Sequence, residues 1–390
     1  MSPMKDVIVG QFNDGYLPIM DGVTLTVRNY AFWLNRILGP TYVVTPWFPG
    51  HKDAEPFPVI RYFSVPTIVR PPYRIGIPDF DAKLQDILRK RRFSLVHAHS
   101  PFGAGRAALK VAREKRIPIV ATFHSKFRED LMRAFPVKAI VNEQVDRIVD
   151  FFHSVDEVWV PQESVALTLR EYGYRGPYQV VENGIDLQPP VSVDEPAAAG
   201  GRHLGLEAEL PMGLFVGQHI LEKNLEFLVR SLPAVIAAVP GFRMVFVGQG
   251  YAKEQLKDLV AKLGIDRSVI FHPVIHDREL LKSIYARADI FLFPSKYDNA
   301  PLVVREAAAY RAPSVMLEGS TAAEVIHHRE NGFLSPDDVE AYAATVIGAL
   351  RDRPLLERVG LGASATLCRS WRDVAGEVRD RYLGILSRWA

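Results

Sequence analysis

A single cysteine, Cys368, is all the thiol that this chain of 390 residues carries. One thiol excludes an internal disulfide framework and any thiolate cluster around zinc, and it fits a reducing compartment such as the cytoplasm. Also missing is any run approaching the roughly 20 apolar residues that cross a bilayer. The apolar start Val7-Ile8-Val9-Gly10 gives way at once to polar Gln11, Asn13 and Asp14, which reads as a first strand and not as a secretory leader. A strong charge of either sign is lacking as well. There are 47 Lys and Arg against 45 Asp and Glu, and a net charge of +2 is too small to argue for nucleic acid. The excess is uneven, because residues 1–185 hold 24 basic and 19 acidic side chains. The densest basic run, Arg89-Lys90-Arg91-Arg92, reads as the exposed end of a helix, with contact to anionic lipid as the second reading.

What is present is a long, well-mixed globular composition, with 48% hydrophobic and 24% charged residues. The length exceeds what one hydrophobic core usually serves, so two domains are expected. Short apolar runs alternate with amphipathic helical stretches twice over, which predicts an α/β fold with parallel sheets covered by helices on both faces. Strands are expected at 7–11, 41–45, 59–63, 95–98, 119–123, 157–160 and 179–182, then at 212–216, 243–247, 269–272, 290–293 and 314–317. Between the two series, residues 187–212 hold Pro189-Pro190, Glu195-Pro196 and Gly200-Gly201 with no periodicity, and read as a linker. The expected division is 1–186, linker 187–212, 213–370, and a terminal helix over 371–390 packed across the junction of two domains that face one cleft.

The chemistry concentrates where strands end. After the run Ile290 to Phe293 comes a Pro/Ser/Asp/Asn cluster and then an Ala-rich helix, placing Asp298 in the loop and Glu306 one or two turns into the helix. Two acceptors so placed reach a polyhydroxylated ligand lying over the carboxyl ends of the strands. Capping plus a solvated glutamate fits the spacing equally well. Phe215-Val216-Gly217-Gln218-His219 leads to Lys223, a fixed positive charge suited to a diphosphate, and Val247-Gly248-Gln249-Gly250 is a second flexible strand exit. In the first half, Gly22 opens the helix expected over 24–38 and is either a phosphate contact or an ordinary turn.

Two patterns point elsewhere. Gly103-Ala104-Gly105-Arg106-Ala107-Ala108 matches a dinucleotide fingerprint, with Glu129 and Asp130 further on, but Pro101 intervenes and the strand before it is not the first of its unit; close helix packing is the better reading. His97, His99 and His124 end neighbouring strands, with His97 and His99 on one face. No acidic third ligand accompanies them, so no metal is expected, and His124 is the best placed to face a ligand. His272 and His276 are separated by Pro273, which removes helical zinc spacing.

Taken in order, Asp21-Gly22-Val23, His97 to Phe102, Thr122-Phe123-His124, Glu182 to Asp186, Val216-Gly217 with Glu222-Lys223-Asn224, the 298–306 pair and Asn331 to Leu334 resemble the retaining glycosyltransferases of family 4, with the two-Rossmann GT-B fold. The resemblance implies that Lys223 binds the donor diphosphate, Glu306 the nucleotide ribose, Asp298 the sugar hydroxyls, and that His124 lies beside the transferring sugar while Gly22 closes over the phosphates. Gly217, Gln218, Gly248, Leu302 and Val303 complete the implied donor set. It further implies a metal-independent transfer of a hexose, from UDP-glucose or a similar co-substrate and with no bound cofactor, by a same-face mechanism needing no protein nucleophile. Two positions depart from the family: Gln218 stands for an arginine and Asp298 for a glutamate. The first loses a bidentate cation, for which Arg305 is the candidate substitute, and the second shortens a carboxylate by about one bond, ~1.5 Å. Tyr16-Leu17-Pro18 and the 97–102 segment resemble the subgroup acting on glycerolipids. Residues 126–138, with Phe127, Met132 and Phe135 among basic side chains, read either as a membrane-interface segment or as an ordinary packed helix. The partners so implied are a nucleotide sugar and a lipid or small hydroxylated acceptor, in the cytoplasm or at the inner membrane face. A soluble acceptor, a non-catalytic sugar-nucleotide-binding protein and, more remotely, an NAD-dependent oxidoreductase are the competing readings.

Overall fold

The short apolar runs are strands of two parallel sheets, each in its own compact unit. The structure, a computed structural model, describes residues 7–67, 72–134, 137–186, 190, 192–296 and 298–389. One unit comprises residues 1–184 and 371–390, the other 185–370.

In the first unit the strands are β1 (Val9–Phe12), β2 (Thr41–Pro46), β3 (Val59–Tyr62), the small antiparallel pair β4 (Ser64–Pro66) and β5 (Arg74–Gly76), then β6 (Leu95–Ala98), β7 (Ile119–Thr122), β8 (Glu157–Val160) and β9 (Gln179–Val180). Helices α1 (Gly22–Ile37), α2 (Ala82–Lys90), α3 (Gly103–Lys115), α4 (Phe127–Ala134), α5 (Lys138–His153) and α6 (Glu163–Glu171) connect them. The seven-stranded order is β3-β2-β1-β6-β7-β8-β9. Strand order therefore reverses between β1 and β6, and an open α/β sheet binds its ligand in the crevice beyond such a reversal. Register sets Gln11 beside His97 there.

The second unit runs α7 (Asp194–Leu204), β10 (Met212–Val216), α8 (Leu225–Ala238), β11 (Arg243–Val247), α9 (Lys253–Lys262), β12 (Val269–His272), α10 (Arg278–Arg287), β13 (Ile290–Leu292), α11 (Leu302–Ala309), β14 (Ser314–Leu317), β15 (Gly332–Ser335), α12 (Val339–Arg351) and α13 (Arg353–Leu367). Its order, β12-β11-β10-β13-β14-β15, reverses between β10 and β13. The core beneath is aromatic: Phe215, Phe246 and Phe291 are fully buried, and each such side chain contributes about 1.5–3 kcal/mol over its exposed state. The last helix, α14 (Trp371–Trp389), belongs to the first unit. Its buried stripe Trp371, Val374, Val378, Tyr382 and Ile385 recurs every three or four residues and lies against α1.

The stretch expected to be a linker over 187–212 instead contains α7, packed on α10. Gly200 explains the misreading. A Cβ there would lie 2.1 Å from the Ser283 carbonyl oxygen, so the glycine marks a close helix crossing and not a flexible joint. Pro196 sits in the first turn of α7, where its missing N–H costs nothing. Helix α13 and strand β15 were also not legible as elements. Gly360 and Gly362 weaken the helical signal of the sequence but lie inside a continuous α13, at positions where Cβ atoms would meet the Arg311 and Glu330 carbonyl oxygens at 2.3 and 2.0 Å.

Candidate functional site

In the second unit the two strands flanking the reversal each send a loop to the same place. After β10, Leu221–Lys223 forms a 3-10 turn that ends at Asn224, whose left-handed φ of +58° redirects the chain into α8. After β13, Ser295 Oγ accepts from the Asp298 amide at 3.2 Å, fixing the loop. Lys223 Nζ then donates to both carboxylate oxygens of Asp298, at 2.6 and 2.8 Å, in a pair mostly shielded from solvent, with the Phe293 ring 5.4 Å away. The two residues are 75 positions apart, and the sheet order alone makes them neighbours.

Glu306, on the second turn of α11, is buried. Its Oε1 accepts from Arg278 Nη2 at 3.0 Å and its Oε2 from the Tyr285 hydroxyl at 2.9 Å. Each carboxylate oxygen has two acceptor positions, so both keep room for a ligand hydroxyl. Arg278 and Tyr285, both on α10, had no signal in the sequence beyond a basic residue at a helix start. Arg305 does not stand in for the arginine missing at 218: its side chain is buried and donates to the Leu367 carbonyl oxygen at 3.1 Å, on the α13 side. Gln218 is exposed. Leu302, buried, opens α11 directly after Pro301, and half-buried Val303 follows.

Backbone hydrogen bonds lace the strand exits together: Gly217 N to Val247 O at 3.0 Å, His219 N to Gln249 O at 2.8 Å, and Gly248 N to His272 O at 3.1 Å. His219 is wholly buried among Phe215, Phe246 and Phe271, and burial pushes its imidazole down to about 4. Gly248 has φ of +143°, and a Cβ on it would lie 2.0 Å from the Gly217 carbonyl oxygen. Gly248→Ala is therefore expected to destabilise the second unit by about 3 kcal/mol or more, from strain plus overlap. Calorimetric unfolding is the measurement that shows it, as a fall confined to that unit's transition.

In the first unit Gly22 is the first residue of α1, and no atom lies within 4 Å of where its Cβ would be, so packing does not require the glycine. Asp21 caps the helix, accepting from Thr24 N at 2.7 Å and from the Tyr73 hydroxyl at 2.6 Å. The fingerprint at 103–108 is packing, as expected. Asp14 occupies the start of α3, accepting from Ala104 N at 2.9 Å and Ser100 Oγ at 2.6 Å, and a Cβ at Gly105 would meet the Ser100 carbonyl oxygen at 2.2 Å. A helix start filled by a carboxylate has no place for a pyrophosphate.

His97, within β6, and His99 and His124, just past β6 and β7, do come together. His97 and His99 stack with centroids 4.1 Å apart, and His99 Nδ1 lies 3.0 Å from His124 Nε2. The remaining partners of the two inner rings are Tyr382, Thr122 and Gln11. Burial holds His97 and His99 well below the usual histidine range and His124 down to about 3. All three are neutral at pH 7. Gln11 was visible in the sequence only as the polar end of an apolar strand.

Of the segment 126–138, Phe127 is buried against Phe123 and Phe102, which favours the packed-helix reading for that residue, while Phe135 lies outside the described residues. Met132 and Val137 of the same segment are exposed, as is Ile140 just beyond it, and a second group of exposed apolar side chains lies elsewhere in this unit. Trp47, Phe63, Ile75 and Phe80, the last 86% exposed, surround the β4–β5 pair, tied together by Trp47 N to Tyr62 O, Ile77 N to Phe63 O and Phe63 N to Asp81 Oδ2.

Comparison with known proteins accounts for nearly the whole chain. Residues 20–189 match the family described as Glycosyltransferase Family 4, and residues 202–365 the one described as Glycosyl transferases group 1. The alpha-monoglucosyldiacylglycerol synthase of Streptococcus pneumoniae is 25% identical over 312 residues, 79% of this chain and 70% of that one. Its namesake from Acholeplasma laidlawii is 24% identical over 83% of each. Among solved structures, sucrose-phosphate synthase from Thermosynechococcus elongatus matches with a TM-score of 0.80 at 18% identity, over 98% of this chain and all of that one. Anabaena HepE in complex with UDP gives 0.75 at 16%, over 97% and 100%. The chain thus belongs to the group 1 glycosyltransferases and has the GT-B fold.

Proposed function

We propose that the chain transfers a hexose, with retention and without a metal ion, from a nucleoside diphosphate sugar of the UDP-glucose kind to the hydroxyl of a glycerolipid. The observation that carries this reading is the convergence of Lys223 and Asp298 at the reversal of the second sheet, with Glu306 further along the same helix–loop segment. That arrangement offers one cation for a diphosphate and two carboxylates for hydroxyl groups. As the bond between the sugar carbon and the diphosphate breaks, charge grows on the leaving oxygens, and a fixed ammonium and loop N–H groups stabilise that state more than the ground state. The acceptor oxygen bonds to the same face of that carbon, and its proton passes to a phosphate oxygen of the leaving group. Asp298 and Glu306 orient the sugar and the ribose. His124 is assigned to the sugar.

The glycerolipid acceptor rests on the two diacylglycerol-glucosylating relatives and on the exposed apolar residues around β4 and β5. No helix among the described residues is long and apolar enough to cross a membrane, so attachment to a lipid surface falls to such side chains.

The test is thermal unfolding with UDP, GDP, ADP and their sugar conjugates, in chelator, followed by transfer to diacylglycerol in vesicles with the product anomer read by proton NMR. A ligand at 100 times its dissociation constant adds about 2.7 kcal/mol, so a selective shift names the nucleotide. An α-linked product from an α-linked donor is expected. Donor binding without transfer or hydrolysis would mark a binding protein instead, and no shift from any nucleotide would remove the donor site.

A further inference from the structure

Gln11 stands at the centre of a hydrogen-bond chain that reaches His124 from the interior of the first unit. Its side chain is fully buried, with Nε2 donating to the Tyr382 hydroxyl at 3.2 Å and Oε1 lying 2.7 Å from His99 Nε2. A carbonyl oxygen only accepts, so His99 carries its proton on Nε2. The ring is neutral, which leaves Nδ1 bare to accept from His124 Nε2 across 3.0 Å. His124 is thereby the Nε2–H tautomer, and whatever meets its Nδ1 must be a donor. In the other direction the Tyr382 hydroxyl, having accepted from the amide, gives its own proton to His97 Nδ1 at 2.6 Å, and His97 Nε2–H donates to Thr122 Oγ1 at 2.7 Å. Three imidazoles are set by the orientation of one amide. Turning that amide over would invert every donor and acceptor along the chain.

We propose that Gln11 is a positioning residue, which through His99 determines which nitrogen of His124 carries the proton and so whether His124 presents an acceptor or a donor to the transferring sugar. The inference rests on the assignment of His124 to the sugar. An Nδ1 acceptor selects and orients a sugar hydroxyl by its proton, and an Nδ1–H would meet the same hydroxyl by its lone pair, turning it by the difference between the two hydrogen-bond directions.

The experiment is long-range proton–nitrogen NMR of the full chain labelled on histidine, with His124→Gln used to assign the His124 signals. The unsubstituted protein is expected to show His124 protonated on Nε2. In Gln11→Glu the carboxylate holds His99 as an imidazolium, whose Nδ1–H donates to His124 Nε2, so the His124 proton is expected to move to Nδ1. Sugar transfer is expected to fall about tenfold or more, with the donor KM little changed, because orientation is lost and binding is not. Should the new buried carboxylate prevent folding, Tyr382→Phe releases the amide from its other side and is expected to leave His124 as a mixture of both tautomers. His124 protonated on Nδ1 in the unsubstituted protein, or on Nε2 throughout the variants, would overturn the proposal. If the proton moves but transfer is unchanged, the relay stands and the assignment of His124 to the sugar falls.

Discussion

Lys223→Ala is expected to lower sugar transfer by about 10²–10³-fold, the cost of removing one positioned electrostatic donor from a site where charge develops. The structure sharpens the expectation. Lys223 Nζ is held by Asp298 at 2.6 and 2.8 Å, so deleting the ammonium also leaves a largely shielded carboxylate without its counter-charge. Breaking such a pair costs stability on its own account. Activity and stability are therefore expected to fall together in the single variant, and a second substitution separates them. In Lys223→Ala/Asp298→Asn no unpaired carboxylate remains, so the thermal transition is expected to return most of the way while transfer stays low. Initial rates at saturating donor and calorimetry on the same preparations decide it. Recovery of transfer along with stability would mean that Lys223 serves only to neutralise Asp298. Lys223→Arg is expected to be intermediate, because a guanidinium keeps the charge but not the compact reach of an ammonium.

The sequence made Asp298 and Glu306 legible because both depend on local facts: an apolar strand, a polar loop and an Ala-rich helix give the loop and second-turn positions that the structure shows. The same is true of the two series of parallel strands, since buried strands announce themselves by composition. Partners brought together by topology were not legible. Lys223 meets Asp298 because β10 and β13 are adjacent, and Glu306 meets Arg278 and Tyr285 because α10 comes alongside α11. Nothing in the neighbourhood of Arg278 distinguishes it from any arginine opening a surface helix. Glycine was the other source of error, because the same residue marks flexible chain and close contact. Gly200 was read in the first sense and works in the second. Gln11 illustrates the converse case, a polar residue at the buried end of a central strand, where sequence alone shows an interruption and only the structure shows that four polar side chains depend on it.

The buried histidines carry the other large effect, on acid stability. Burial lowers His97, His99 and His124 below the ordinary value of 6.5, His124 to about 3. A depressed histidine stays neutral in the folded chain while the unfolded chain takes up its proton, so stability is fully present above pH 6.5 and is lost as the pH falls below it. Each such group contributes about 1.4 kcal/mol per pH unit, and three together amount to about 6 kcal/mol between pH 7 and pH 5, comparable to the whole stability of a small domain. Ordinary carboxylates begin to titrate only below this window, and Asp14, raised by its burial, works in the opposite direction with a single proton. These three rings belong to the first unit, while His219, lowered to about 4, adds the same effect of a single proton to the second, and the chain supplies its own reporter for the first: Trp33, Trp47, Trp159, Trp371 and Trp389, all five tryptophans, lie in that unit. Denaturant unfolding followed by tryptophan fluorescence is thus expected to lose midpoint steeply from pH 6.5 to 5, with the indole of Trp159, stacked on Tyr382 beside His97, among the first to report. His97→Gln replaces one titrating ring by an amide and is expected to reduce the slope by about 1.4 kcal/mol per pH unit, whatever it does to stability at pH 7. A midpoint that holds steady across this range would show that the rings take up protons in the folded state, and the neutral hydrogen-bond chain through Gln11 would be lost with that result.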